Sequence, residues 1–297
     1  MTAMMTLGAA QLGMAYGING LSERPDTDAC RKILTTSWQL GVRSLDTASS
    51  YGESESQIGH FMRENPQCRF ELTTKLSGQV DPTSRLSVRE SVEQSFERLS
   101  APIRFLLLHN ASHMVHWSMG LGDELRACKT RGLVQSFGVS VYDTSEFEAA
   151  LETPELEAIQ VPMNVFDQRL IRDNRDLLER AETAGVNIFV RSVFLQGLLL
   201  MSTDDVKKKQ PRALPWIEKW IAICKDLGRE PADAALNFVR AVLPQANLVL
   251  GCDSADQVMA NTKLFASAPL SAHELTKIYE LSLVPGEIYD PRKWERL

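Results

Sequence analysis

Two hydrophobic rhythms alternate along this chain. Short runs dense in apolar and β-branched residues read as strands: TLGAA near Thr6, RSLDTA near Arg43, FELTTKL near Phe70, RFLLLHN near Arg104, SFGVSV near Ser136, EAIQVPM near Glu157, VNIFVRSV near Val186 and ANLVLG near Ala246. Between them lie amphipathic stretches. In SVRESVEQSFERLS, Val88, Val92, Phe96 and Leu99 recur at helical spacing, and DNRDLLERAETAG closes on a glycine suited to a helix stop. The strands are apolar on both faces, as in a parallel sheet covered by helices.

This order of β-then-α units predicts an α/β fold, a single (β/α)8 TIM barrel spanning residues 1–297 as one domain, with no linker dividing it. A doubly wound open sheet is the rival, but its first turn usually carries a G-x-G-x-x-G fingerprint. Here that turn reads Gly8-Ala9-Ala10-Gln11-Leu12-Gly13, which does not match. The longest stretches that look irregular are NASHMVHWSMG, FLQGLLLMSTDDVKKKQPRALP and the C-terminal VPGEIYDPRKWERL.

Composition narrows the class. With 44% hydrophobic and 24% charged residues the chain is an ordinary globular protein, and a net charge of -6 offers no electrostatic reason to bind nucleic acid. The Lys207-Lys208-Lys209 run reads as a solvated, loop-like segment beside Asp204 and Asp205. No apolar run is long enough to cross a bilayer and the N-terminus lacks a signal-peptide pattern, so the expected compartment is the cytoplasm. Five scattered cysteines suggest reduced thiols rather than a disulfide framework.

Candidate chemistry clusters at strand ends. Asp46 ends the second strand with Tyr51 just beyond it, Lys75 ends the third, and His109 ends the fourth. In a barrel these side chains converge on one mouth. A lysine near a phenol lowers the phenol's pKa, an aspartate orients the lysine, and a histidine fixes the far side of a substrate. Such a tyrosine can give a proton to a carbonyl oxygen as hydride reaches its carbon. Singly, each residue has a plainer reading: Tyr51-Gly52 as a turn, Asp46 as a cap, Lys75 as a surface lysine, His109 as a core histidine. Their placement on adjacent strands favours the functional one. His109, His113 and His116 lack a neighbouring carboxylate or cysteine, and no metal is expected there.

The segments LDTASSYGESESQIG, TTK, LLLHN, GVS, AIQVPMN and GCDSADQVMAN, in this order, resemble the aldo-keto reductase family over nearly the whole chain. The resemblance implies a barrel that binds a nicotinamide dinucleotide, NAD(P)(H), without a Rossmann domain, with Asp46, Tyr51, Lys75 and His109 as catalytic tetrad. It also implies that Gly8, Ala9 and Asp46 border the cofactor and that Ser140 and Gln160 hold the carboxamide. Val141 follows Ser140 where the family usually has asparagine. Arg191 stands in place of the ring that stacks on the nicotinamide, and a guanidinium plane can stack too; the alternative is a salt bridge on the rim. Ser192, Phe194, Gln196 and Gly197 fall on the pyrophosphate segment, and Gly251, Asp253, Gln257 and Asn261 on the adenosine segment. That stretch has no basic residue. Asp253 would repel a 2′-phosphate and accept from a ribose hydroxyl, which leans the preference toward NAD(H).

The implied activity interconverts a carbonyl (aldehyde, ketone or sugar) and its alcohol, with Tyr51 and His109 on the substrate. The expected partner is that small molecule, with neither nucleic acid nor membrane. Gln11, Tyr16, Asn110, Trp117 and Asn164 form the expected rim and suit a hydroxylated substrate; Trp117 and Met114 also fit as loop anchors. The alternative function is a nicotinamide-binding, redox-sensing regulatory or partner-binding barrel with little turnover, and an intact tetrad argues against it.

Overall fold

Along Ile103–Leu108, Phe105 and Leu107 pack in one apolar cluster while Leu106 and Leu108 pack in another, and all are buried. A strand with two buried faces needs cover on both. The computed structural model, which describes residues 3–18 and 23–294, provides it with a closed barrel ringed by helices. The strands are β1 (Met4–Gly8), β2 (Ser44–Asp46), β3 (Glu71–Leu76), β4 (Ile103–Leu108), β5 (Val134–Ser140), β6 (Leu156–Pro162), β7 (Asn187–Arg191) and β8 (Asn247–Gly251). Each runs parallel to the next, and β8 pairs with β1. The expected (β/α)8 architecture is the one found.

Strand periodicity fixes which residues enter the barrel. Phe105, Leu107, Ala158 and Phe189 form the small inner cluster, with Val249 against it. Thr73 and Lys75 lie opposite Phe105 and Leu107, and Asp46 lies opposite Thr73. Gln160 is two residues beyond Ala158, Arg191 two beyond Phe189 and Gly251 two beyond Val249. Because side chains alternate with period two, Asp46, Lys75, Gln160 and Arg191 must all enter above that apolar plug. The larger core lies between the outer strand faces and the helices.

Helix ends follow local chemistry. Asp26, Ser84, Asp143 and Ser271 each cap a helix through the side chain, and Ser271 with Glu274 completes a capping box. Two expectations need correction. NASHMVHWSMG is not irregular: Asn110 caps a 3-10 helix over Ala111–Met119 that buries His113 and Trp117. The lysine run closes the helix Thr203–Lys209, where cations suit the C-terminal dipole, and Lys209 Nζ donates to the Ile18 carbonyl. Among the described residues no helix is long and apolar enough to cross a membrane.

Candidate active site

Asp46 and Lys75 form the centre. Lys75 Nζ donates to Asp46 Oδ1 at 2.6 Å and to the Thr47 carbonyl at 2.8 Å, and the lysine is only 1% exposed. The other carboxylate oxygen, Asp46 Oδ2, accepts from Gln160 Nε2 at 2.6 Å. Two buried charges are thus paired and hydrogen-bonded, the condition under which burial is tolerable.

Tyr51 sits above them on the turn leading into the helix Ser54–Glu64. That turn is anchored from several sides: Ser54 Oγ donates to the Ala9 carbonyl, and Glu55, 1% exposed, accepts from Thr74 Oγ1 at 2.6 Å and pairs with Arg98. The Lys75 ammonium lies 5.1 Å from the Tyr51 ring centroid, and the His109 ring meets it edge-on at 5.8 Å. The structure therefore brings the four sequence candidates together.

Their electrostatics differ from expectation in one respect. Burial first, and then the Asp46 carboxylate, raise the Tyr51 pKa above its ordinary value, with Arg191 pulling the other way. The net shift is opposite to the expected lowering, because burial and the Asp46 carboxylate outweigh the positive charge nearby. Tyr51 is a protonated phenol at neutral pH. His109 falls to about 4, through burial and then the charges of Lys75 and Arg191, so its imidazole is neutral. Ser50 Oγ lies 3.3 Å from His109 Nδ1; with Ser50 as donor, the ring proton resides on Nε2.

From this centre a cleft of about 430 Å³ runs across the barrel mouth. Tyr16, Asp46, Tyr51, Gln160 and Arg191 border it near the ion pair, Asp253, Gln257 and Asn261 border it around the turn after β8, and Gly8, Ala9, Gln11 and Gly251 border it where β1 pairs with β8. The loop from Ser192 to Gly197 borders the cleft as well. Ser192, Leu195, Gln196 and Gly197 all have positive φ there. Three are not glycine, and such strain persists only where surroundings enforce it. Asn164 is the enforcer: fully buried, it donates to the Ser192 carbonyl and accepts from the amides of Phe166 and Asp167. Within the loop the Leu195 amide donates to the Ser192 carbonyl and the Gly197 amide to the Phe194 carbonyl. At the far end Asp253 N donates to Gln257 Oε1, and burial raises the Asp253 pKa. Asn261 donates to Cys252 Sγ at 3.3 Å.

Other expected site residues lie elsewhere. Trp117 is 3% exposed and stacks edge-on against Phe137, so it belongs to the core beneath the 3-10 helix, not to a substrate wall. Asn164 is likewise internal, and Asn110 is occupied as a cap. Ser140 is buried beside Gln160 in the β5–β6 register and does not border the cleft. His113 and His116 have buried Nδ1 atoms without a partner, and no cluster able to hold a metal occurs among the described residues.

Sequence reasoning missed Tyr142. Its ring lies 4.1 Å from the Arg191 guanidinium and 3.7 Å from that of Arg292, and its carbonyl accepts from Arg169. An aromatic residue two positions past Ser140 at a strand's C-terminal end was the available signal. Leu200, Ala232, Ala260 and Leu264 also border the cleft and carry no sequence mark.

A cleft joined to a buried acid–lysine pair, a tyrosine and a histidine at the C-terminal barrel face fits what comparison with known proteins finds. The chain is 22% identical to D-threo-aldose 1-dehydrogenase of Pseudomonas sp, an alignment covering 95% of this chain and 98% of that protein. It is 25% identical to a putative voltage-gated potassium channel subunit beta of Schizosaccharomyces pombe, over 96% and 92%. Among solved structures, the holo form of an aldo-keto reductase from Bacillus halodurans superposes with a TM-score of 0.75 at 20% identity, covering 99% of this chain and 96% of that one. A glycerol dehydrogenase from Gluconobacter oxydans gives 0.73 at 21%, over 99% and 94%. The Aldo/keto reductase family profile matches residues 4–282, and the chain belongs to that family.

Proposed function

We propose that this protein is a cytoplasmic NAD(P)-dependent oxidoreductase that interconverts a carbonyl and its alcohol. The observation that carries the reading is the Asp46–Lys75 pair at 2.6 Å beneath Tyr51, with His109 on the ring's edge. Without such chemistry a buried ion pair is a poor use of the barrel core.

The cleft suits a dinucleotide. Gly251 has no side chain where a Cβ would strike Gln11, and the positive-φ loop turns its backbone along the cleft wall. Gly8, Ala9, Gln160 and Arg191 would border the nicotinamide end, Ser192 to Gly197 the pyrophosphate, and Gly251, Asp253, Gln257 and Asn261 the adenosine end. When bound, the nicotinamide supplies or accepts the hydride.

This chain's residues handle the proton. Tyr51, kept protonated by burial, gives its phenolic proton to the substrate oxygen as negative charge grows there. Lys75 then stabilises the phenolate from below, and Asp46 with Gln160 holds Lys75 in place. Neutral His109 donates a hydrogen bond to the same oxygen and orients it. In the reverse direction Tyr51 recovers the proton from the alcohol. Gln160 thus serves the tetrad as well as, or in place of, the carboxamide.

For substrate we favour a sugar or polyol-type aldehyde. Gln11 and Tyr16 at the rim offer polar contacts, and relatives named as aldose and arabinose dehydrogenases act on such molecules by their names. The channel-subunit relative raises a regulatory reading. Retention of a complete proton-transfer set argues for turnover instead. The test is a screen for oxidation of NADH and NADPH by a panel of aldehydes and sugars, run beside Tyr51→Phe. Turnover that Tyr51→Phe abolishes supports the assignment. Absence of any turnover despite dinucleotide binding would favour the sensor.

A further inference from the structure

Three arginines converge on Tyr142, and among the described residues one of them, Arg191, has no acidic partner. Arg169 donates to the Tyr142 carbonyl and pairs with Asp167 at 2.8 Å. Arg292 lies over the ring and pairs with Asp290 at 2.7 Å. Arg191 lies over the ring at 4.1 Å and donates from Nη2 to the Val141 carbonyl, and among the described residues no carboxylate meets it. The nearest acid at its end of the cleft, Asp46, is committed to Lys75 and Gln160. A permanent positive charge therefore stands half-buried in the cleft with no acidic partner among the described residues, close enough to oppose the rise at Tyr51 and to add to the fall at His109.

We propose that Arg191 makes the site discriminate between the two redox states of its nicotinamide, holding the reduced form more tightly than the oxidised one. The inference rests on the proposed function. Hydride must pass at the Tyr51 end, so the nicotinamide ring belongs to the compartment Arg191 borders. That ring carries a positive charge when oxidised and none when reduced. An uncompensated guanidinium repels the first and is indifferent to the second, and in a partly desolvated cleft the repulsion is weakly screened. Tyr142 acts as a positioning residue: its ring carries the guanidinium of Arg292, which Asp290 fixes, and that of Arg191. By linkage, tighter holding of the reduced form makes the bound couple a stronger oxidant, which favours alcohol oxidation on the protein.

Fluorescence or calorimetric titration with NAD+, NADH, NADP+ and NADPH tests this without any substrate. The readout is the ratio of oxidised to reduced dissociation constants for the better-bound dinucleotide, so a general loss of affinity cancels. Wild type should favour the reduced form more than tenfold, about 1.4 kcal/mol. Arg191→Gln should bring the ratio at least fivefold closer to one, whereas Arg191→Lys, which keeps the charge but not the plane, should retain most of it. An unchanged ratio in Arg191→Gln overturns the proposal, as does an equal fall in both variants, which would assign the effect to stacking. Binding of none of the four would overturn it together with the nicotinamide reading, while binding with an unchanged ratio would leave that reading standing.

Discussion

Tyr51 rests directly on Gly13: a Cβ at Gly13 would lie 1.8 Å from the Tyr51 carbonyl oxygen. The backbone at Gly13 needs no left-handed conformation; only space is at issue, and the opposing atoms are backbone that cannot swing away. Gly13→Ala should therefore move the turn carrying Tyr51. Displacement on the order of 1 Å in a reacting group lowers turnover by about 100-fold. Steady-state kinetics with a dinucleotide titration should show kcat falling far more than dinucleotide affinity.

Tyr51→Phe keeps the ring that meets His109 and covers Lys75 and removes only the hydroxyl. Loss of one acid–base group lowers turnover by about 100-fold or more. Dinucleotide binding and thermal melting should stay near wild type, and near wild-type turnover would refute the proton-transfer role.

Lys75→Met leaves the Asp46 carboxylate buried with Gln160 as its remaining side-chain partner. Removing one member of a buried pair costs about 3 kcal/mol or more, because an uncompensated charge stays behind. Urea unfolding should show that loss. Adding Asp46→Asn should recover part of the stability and none of the activity, which separates folding from catalysis.

His109 sets an acid limit. Its folded pKa of about 4 lies below the ordinary 6.5, so the unfolded chain binds more protons between those values. Stability from this group is fully present above pH 6.5 and is lost as pH falls toward 4. The loss should amount to about 3 kcal/mol at most. Denaturation midpoints measured across that window should decline in wild type and flatten in His109→Asn. Above it, reductive turnover should stay level with pH until the raised Tyr51 begins to ionise.

Dinucleotide choice tests Asp253. The turn following β8 presents this half-buried carboxylate, and its amide is tied to Gln257. Lys207 is paired with Asp204, and Lys263 lies in the last turn of the helix Ala255–Leu264. We expect NADH to bind more tightly than NADPH, and Asp253→Ala to narrow the gap. Tighter NADPH binding that survives the substitution would show that Asp253 faces away from the ribose.

The barrel was legible because strands buried on both faces leave an unbroken apolar signature, and the period-two alternation assigns Asp46 and Lys75 to the inner face without any coordinates. The Tyr51 and His109 positions followed from strand ends. Gln160's grip on Asp46 was not legible, since it joins residues 114 positions apart through a curvature no local pattern encodes. Trp117 misled because a large aromatic residue in a polar loop looks the same whether it lines a pocket or plugs a core. Tyr142 escaped because its significance lies in arginines from β6–β7 and from the C-terminal segment, which meet only in three dimensions.

The two ends of the cleft are wired differently, and evolution should feel the difference. Asp46, Lys75 and Gln160 are interlocked across three strands, so a change in any one demands a matching change in a distant part of the gene. Asp253 and Gln257 are joined to each other, and Gln257 to Ser254, within a single turn of backbone. Under the proposed function, a lineage would trade one dinucleotide for another through a handful of neighbouring codons while its proton chemistry stayed frozen.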